Sequence, residues 1–236
     1  MRRRYAVHVF PDPSAVARHV ARWMTDLARA MRDNFAVALS GGSTPRALYK
    51  ELAGDEFAEE FPWSRVDWFW GDERFVPPQD QMSNYHMAQE AMLSRAPLSR
   101  IHAIHTEGTT AAEAALAYER ELKRFYAADR LDRARPLFDL VLLGLGTDGH
   151  TASLFPGSSV LNENVHWAAA VETQHPARIT LTYPALECCA HAAFLVTGAE
   201  KREALRGLLN RDPALPASRL NPTGDLHLFA DSAAAG

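Results

Sequence analysis

The stretch "FDLVLLGLGTDGHTAS", Phe138 to Ser153, decides how this chain is read. Its first half is almost wholly apolar, as expected for a central strand of a parallel sheet covered on both faces. Its second half spaces Gly144, Gly146 and Gly149 as G-x-G-x-x-G. In a dinucleotide site those glycines turn a strand into a long helix whose first amides meet the pyrophosphate. Glu172 even stands near the distance of a ribose-binding acid, but Pro156 and Gly157 leave little room for that helix, and Asp148 puts a carboxylate where diphosphate charge would lie. The other reading is a loop that lets the backbone approach a small ligand and presents Asp148 and His150. Histidine exchanges its proton near neutrality and suits proton transfer, with Asp148 to orient it or raise its basicity. From these residues alone it is equally open that Asp148 and Thr151 cap a short helix beside an exposed histidine.

Working outward, short β-branched and aromatic runs alternate with segments of helical period. "YAVHVF" (Tyr5 to Phe10) reads as a first strand. Val16, Val20, Trp23, Leu27 and Met31 then mark an amphipathic helix over Ser14 to Met31, capped by Asp12 or Ser14. "FAVALS" leads to a helix from Pro45 to Leu52. "VDWFWG" (Val66 to Gly71) is a strand ending in a charged loop, with a helix starting near Asn84. Thr110 and Glu113 make a capping box for a helix reaching about Ala128. Later strands are "HWAAAVE", "RITLTY", "AAFLVTG" and "DLHLFAD", with a helix from Glu200 to Asn210. No linker divides the chain. The expectation is an α/β fold in one domain over residues 1–236: a mostly parallel twisted sheet with helices on both faces, a Rossmann-like three-layer sandwich.

Two more loops fall at the same edge of that sheet. In "ALSGGSTPRALYKEL" a strand runs into Gly41, Gly42, Ser43 and Thr44, and Pro45 opens a helix at the position proline prefers. Free amides, two hydroxyls and the helix dipole suit a phosphate, although the dipole contributes only about 0.3–1 kcal/mol. The Gly-Lys-Ser/Thr ending of a P-loop is absent, and an ordinary helix start is the plainer alternative. In "WFWGDERFVPPQDQMSNYH", Asp72, Glu73 and Arg74 follow a strand directly. They point to the ligand edge or pair with one another, and the arginine offers a planar fork for an anion. Arg178 begins a later strand. Lys201 sits in the first turn of a helix, unfavourable against the dipole unless an anion offsets it.

The bulk numbers narrow the partners. The 236 residues are 47% hydrophobic with a formal charge of -4 and a pI near 6.2. No basic field exists to hold nucleic acid or an anionic membrane. The only cysteines, Cys188 and Cys189, are adjacent, which suits neither a disulfide nor a zinc site and points to a reduced compartment. The apolar run before Pro11 is too short for a signal peptide, and no stretch approaches a membrane span. A cytoplasmic protein, monomeric or weakly self-associating, that binds a small molecule is expected.

Taken together, "SGGSTP", "GDERFVP", "GLGTDGHTASLFPG", "RITLTYPAL" and "TGAEK" closely resemble the 6-phosphogluconolactonases, and more weakly the glucosamine-6-phosphate deaminases. The similarity runs from about Val37 to Leu205. The resemblance implies hydrolysis of 6-phosphoglucono-1,5-lactone in the pentose phosphate pathway, with no cofactor and no metal. It implies His150 as general base on water, Asp148 assisting it and Arg74 holding substrate beside them. It implies that Gly42, Ser43 and Thr44 grip the phosphate with Lys201 and Arg178 supplying positive charge; Gly41, Asp72 and Glu73, from the same loops, are read from the residues as further substrate-binding positions. A lactone is an activated ester, so a positioned base and a fixed substrate suffice and no nucleophilic serine is needed. The alternatives are a glucosamine-6-phosphate deaminase, for which Asp72 can serve as base, a sugar-phosphate-binding module without catalysis, and a nicotinamide-dependent oxidoreductase.

Overall fold

In this computed structural model, residues 5–97 and 100–236 are described. Strand β1 (Tyr5–Phe10) is followed by α1 (Pro13–Ala30), whose first turn is capped by the Asp12 carboxylate accepting from the Ala15 N–H at 2.8 Å. Next come β2 (Phe35–Leu39), α2 (Ser43–Ala53), β3 (Val66–Trp70), β4 (Asp72–Arg74) and α3 (Asn84–Ala91). Helix α4 (Ala111–Tyr126) carries the expected capping box between Thr110 and Glu113 and ends on Ala127 in the left-handed region. After β5 (Phe138–Leu143), β6 (Ala168–Val171) and β7 (Arg178–Leu181) come α5 (Tyr183–Glu187), β8 (Cys189–Val196), α6 (Arg202–Leu209), α7 (Pro216–Arg219), β9 (Asp225–Asp231) and α8 (Ser232–Ala235).

Six strands form one sheet in the order β1-β9-β8-β5-β2-β3, every pairing parallel. All residues of β2 and β3 are buried, which requires cover on both faces and explains their unbroken apolar runs. Trp68, Trp70, Phe69, Phe138 and Phe194 fill the core, each such aromatic contributing roughly 1.5–3 kcal/mol by leaving water. Both cysteines are buried free thiols.

A second, antiparallel sheet of three strands, β4-β7-β6, stands against the carboxyl end of the first. Gly71 joins the two: its N–H donates to the Leu39 carbonyl and its own carbonyl accepts from Leu181, both at 2.8 Å. The expectation of a charged loop after β3 is thereby corrected, because Asp72–Arg74 pairs with Arg178–Thr180. A partner a hundred residues away is invisible in a local reading.

Two tyrosines finish the strands that lead to this edge. The Tyr49 hydroxyl donates to the Ser40 carbonyl and accepts from the Ser40 N–H, and Tyr118 does the same at Trp70. Full burial pushes both phenols well up, so they stay neutral and serve as donor and acceptor together.

Candidate active site

Between the two sheets, at the carboxyl ends of β2, β3, β5 and β8, lies a cleft of about 330 Å³. In open α/β sheets this edge is where ligands bind, because successive loops diverge there. Here β2 and β5 are neighbours, and the next strands of this sheet along the chain, β3 after β2 and β8 after β5, lie on opposite flanks of the pair.

One wall is the start of α2. The helix begins at Ser43, two residues before the expected Pro45, so the proline is third in the helix rather than first; its missing N–H still falls among those the helix leaves unbonded. Gly42 is the N-cap and supplies no side-chain cap, and no acidic residue occupies the first turn. The first amides therefore face the cleft unneutralised. Gly41, Gly42, Ser43 and Thr44 all line it, and the Thr44 hydroxyl meets that of Thr197 at the end of β8 at 2.7 Å.

The opposite wall is cationic. Arg74 and Arg178 line the cleft from β4 and β7, and Lys201 lines it from the turn before α6. Among the described residues neither Arg178 nor Lys201 forms a salt bridge, and the Arg178 Nε is buried without a hydrogen-bond partner. Burial, then the charge of Arg74, pulls the Arg178 guanidinium below its ordinary range. The turn that holds Lys201 is fixed by Asp231, whose carboxylate accepts from the Gly198 N–H through both oxygens at 3.1 Å.

The floor is the glycine loop, and its geometry disposes of the dinucleotide reading. No helix follows the glycines; residues 147–153 form turns closed by Gly149 N–H to the Gly146 carbonyl and Gly146 N–H to the His150 carbonyl. Gly149 has φ +80°, and a side chain there would run into Leu215. At Gly146 a Cβ would lie 2.0 Å from His150 Nδ1 and 2.5 Å from Asp148 Oδ1. The second glycine is therefore the space in which the His150–Asp148 pair fits.

In that pair His150 Nδ1 is 2.6 Å from Asp148 Oδ1, which also accepts from the His150 backbone N–H at 3.1 Å. A carboxylate only accepts, so the proton is on Nδ1 and the neutral ring keeps its lone pair on Nε2. Partial burial works against the charge of Asp148, but these two hydrogen bonds and the imidazole outweigh it and hold the carboxyl below its ordinary range. His150 lines the cleft with Phe155 packed against its ring at 4.5 Å, whereas Asp148 stands behind it.

Two acidic residues divide their work. Asp72 lines the cleft, buried, and its Oδ2 accepts from the Ser153 hydroxyl at 2.6 Å. Glu73, expected to bind substrate, does not line it. At 2% exposure, its carboxylate accepts from the N–H groups of Arg74, Asn84 and Tyr85 and from the Ser83 hydroxyl, closing the loop of residues 75–83 onto the start of α3. Alternation along β4 explains the correction, since neighbours on a strand face opposite ways.

The sequence reading missed Asn84, Ser153, Gln174 and Thr197, which also line the cleft. Asn84 donates to the Asp72 carbonyl at 2.9 Å, and its amide fills the place of a side chain at Gly41. The Ser83-Asn84 dipeptide at the start of α3 was the available signal, read as the end of a loop over the ligand edge and as a helix start, without a role for the Asn84 side chain.

Three comparisons bear on this site. The family model for glucosamine-6-phosphate isomerases/6-phosphogluconolactonase matches residues 11–228. A 6-phosphogluconolactonase of Nostoc sp. (strain PCC 7120) is 38% identical over 236 residues, covering 97% of this chain and 96% of its own. The structure of 6-phosphogluconolactonase from Trypanosoma cruzi superposes with a TM-score of 0.86 at 30% identity, over 100% of this chain and 97% of that one. A monomeric glucosamine-6-phosphate deaminase superposes at 0.81 with 20% identity, over 97% and 98%, and shares the fold alone.

Proposed function

The chain belongs to the glucosamine-6-phosphate isomerase/6-phosphogluconolactonase family, and on that premise we propose that it hydrolyses 6-phosphoglucono-1,5-lactone to 6-phosphogluconate. The observation that carries the reading is an imidazole held by Asp148 at the floor of a cleft whose walls are built for an anion.

The phosphate lies between the first amides of α2 and the ammonium of Lys201. Guanidinium groups at Arg74 and Arg178 hold the ring oxygens or the phosphate and keep C1 over the glycine loop. His150 Nε2 takes a proton from water as its oxygen bonds to C1, and Asp148 stabilises the imidazolium that forms. The tetrahedral intermediate then collapses, the bond from C1 to the ring oxygen breaks, and the imidazolium returns the proton to that oxygen as the C5 hydroxyl. A base so placed is worth on the order of 10²–10⁴-fold. Asp72 and Ser153 shape the wall beside the ring, and no cofactor enters the scheme. The substrate is a small sugar phosphate, and among the described residues no helix is long and apolar enough to cross a membrane.

Acid release from freshly generated lactone, corrected for spontaneous hydrolysis, tests the reading against the deaminase: lactone opening well above blank with no ammonia from glucosamine 6-phosphate is expected. Ammonia release without lactone opening would make Asp72 the base, and neither would leave a binding module.

A further inference from the structure

The opposite end of the parallel sheet carries chemistry that the cleft does not use. Strands β8 and β9 pair with His191 opposite Asp225 and Ala193 opposite His227. Strand alternation puts His191, Asp225 and His227 on one face. His191 Nδ1 lies 3.3 Å from His227 Nε2 and 4.0 Å from Asp225 Oδ2, and one ligand atom from each residue falls within 4.8 Å of the others. Trp23 of α1 packs on both rings, with centroids 5.8 and 4.7 Å away.

The imidazole contact is long for a hydrogen bond, whose usual donor-to-acceptor distance is about 2.9–3.0 Å. It does match another geometry. Two nitrogens, each about 2.0–2.1 Å from a tetrahedral zinc ion, stand roughly 3.3–3.4 Å apart. Each residue offers one ligand atom, a ring nitrogen from either histidine and a carboxylate oxygen from Asp225, and the nearby carboxylate of Asp139 adds to the negative charge around His191. Both histidines are half-buried and Asp225 is exposed, which gives an ion a way in and room for water as fourth ligand.

We propose that His191, Asp225 and His227 form a binding site for one divalent transition-metal ion of the zinc type, separate from the cleft. Two imidazoles and a carboxylate are borderline ligands that suit zinc and its neighbours rather than magnesium or calcium. The site is structural: it ties β8 to β9 some four residues, about 13 Å along the strand, from the Leu195 that lines the cleft. The lactonase reading does not depend on it.

The test is calorimetric titration of Zn²⁺ into the metal-stripped full chain at pH 7.5, with thermal unfolding in Zn²⁺ and in EDTA. Wild type is expected to take up one ion and to unfold at higher temperature with it. His227→Ala should abolish saturable binding, and Asp225→Asn, at an exposed position, should weaken it at least ~10-fold while the fold persists by circular dichroism. His150→Ala should bind as wild type does. Absence of saturable binding in wild type, binding unchanged in a folded His227→Ala or Asp225→Asn, or binding lost only in His150→Ala would each overturn the proposal.

Discussion

Arg74 and Arg178 stand directly opposite each other across the antiparallel pair of β4 and β7, two like charges in one register. Opposed like charges destabilise a sheet. Asp72 and Glu73 offset part of the repulsion at Arg178, but neither forms a salt bridge with it among the described residues. Such an arrangement is strained when the cleft is empty and relieved when an anion enters. Arg178→Met, which keeps the buried stem, should therefore leave the melting temperature unchanged or raise it while raising KM for the phosphorylated lactone about 10- to 100-fold, the worth of a charged hydrogen bond. An unchanged KM would place the anion elsewhere.

Lys201→Ala should act on KM more than on kcat, and should weaken inhibition by 6-phosphogluconate in parallel. The lysine sits at the turn before α6, where it opposes that helix's dipole unless an anion is present. Steady-state kinetics with product added measures both; a fall confined to kcat would assign Lys201 to chemistry instead.

Gly146→Ala should cost at least ~10²-fold in kcat with little change in the far-ultraviolet circular dichroism, because the added methyl occupies the space of the His150–Asp148 hydrogen bond. Retained activity would show that the pair is dispensable.

Asp148→Asn should lower kcat across pH 6 to 8 by about 10²-fold, since an amide can turn its N–H₂ to Nδ1 and leave the proton on Nε2. Stability gives an independent reading with a defined sign. A carboxyl held below its ordinary range adds stability that is present above the unfolded value, near 3.9, and lost as pH falls through the lower folded value. Wild type should thus lose more stability than Asp148→Asn on titration below about pH 4, followed by denaturant unfolding.

Glu73→Gln separates structure from catalysis. Burial raises the Glu73 carboxyl while four hydrogen bonds oppose the rise, and every one of those donors faces a carboxylate oxygen. An amide nitrogen must meet some of them, a loss of roughly 1–3 kcal/mol that lowers the melting temperature by about 2–12 °C in a chain this size. Calorimetry checks it. Unaltered stability would mean that the loop of residues 75–83 is held by something else.

What the sequence disclosed and what it hid follow from distance along the chain. The Thr110–Glu113 capping box, the Asp12 cap and the buried run of β5 are local, and the structure has them where they were expected. The Gly-rich loops could be placed at the carboxyl edge because a parallel sheet puts every such loop there. Hidden were the split into two sheets, which rests on Asp72 pairing with Thr180, and the work of Glu73, whose partners beyond the adjacent Arg74 lie ten to twelve residues on. Strand parity at Glu73 and Arg74 is fixed only once β7 is in place. Hidden too was the bond from the Ser153 hydroxyl to Asp72, which spans eighty-one residues.

The most direct measurement is pre-corrected lactone hydrolysis by His150→Ala beside wild type at about pH 7, with binding of 6-phosphogluconate to both measured by calorimetry. The account predicts that turnover falls by 10²- to 10⁴-fold while product binding stays within a few-fold of wild type. Wild-type turnover in the variant would contradict it, for His150 would then not be the base.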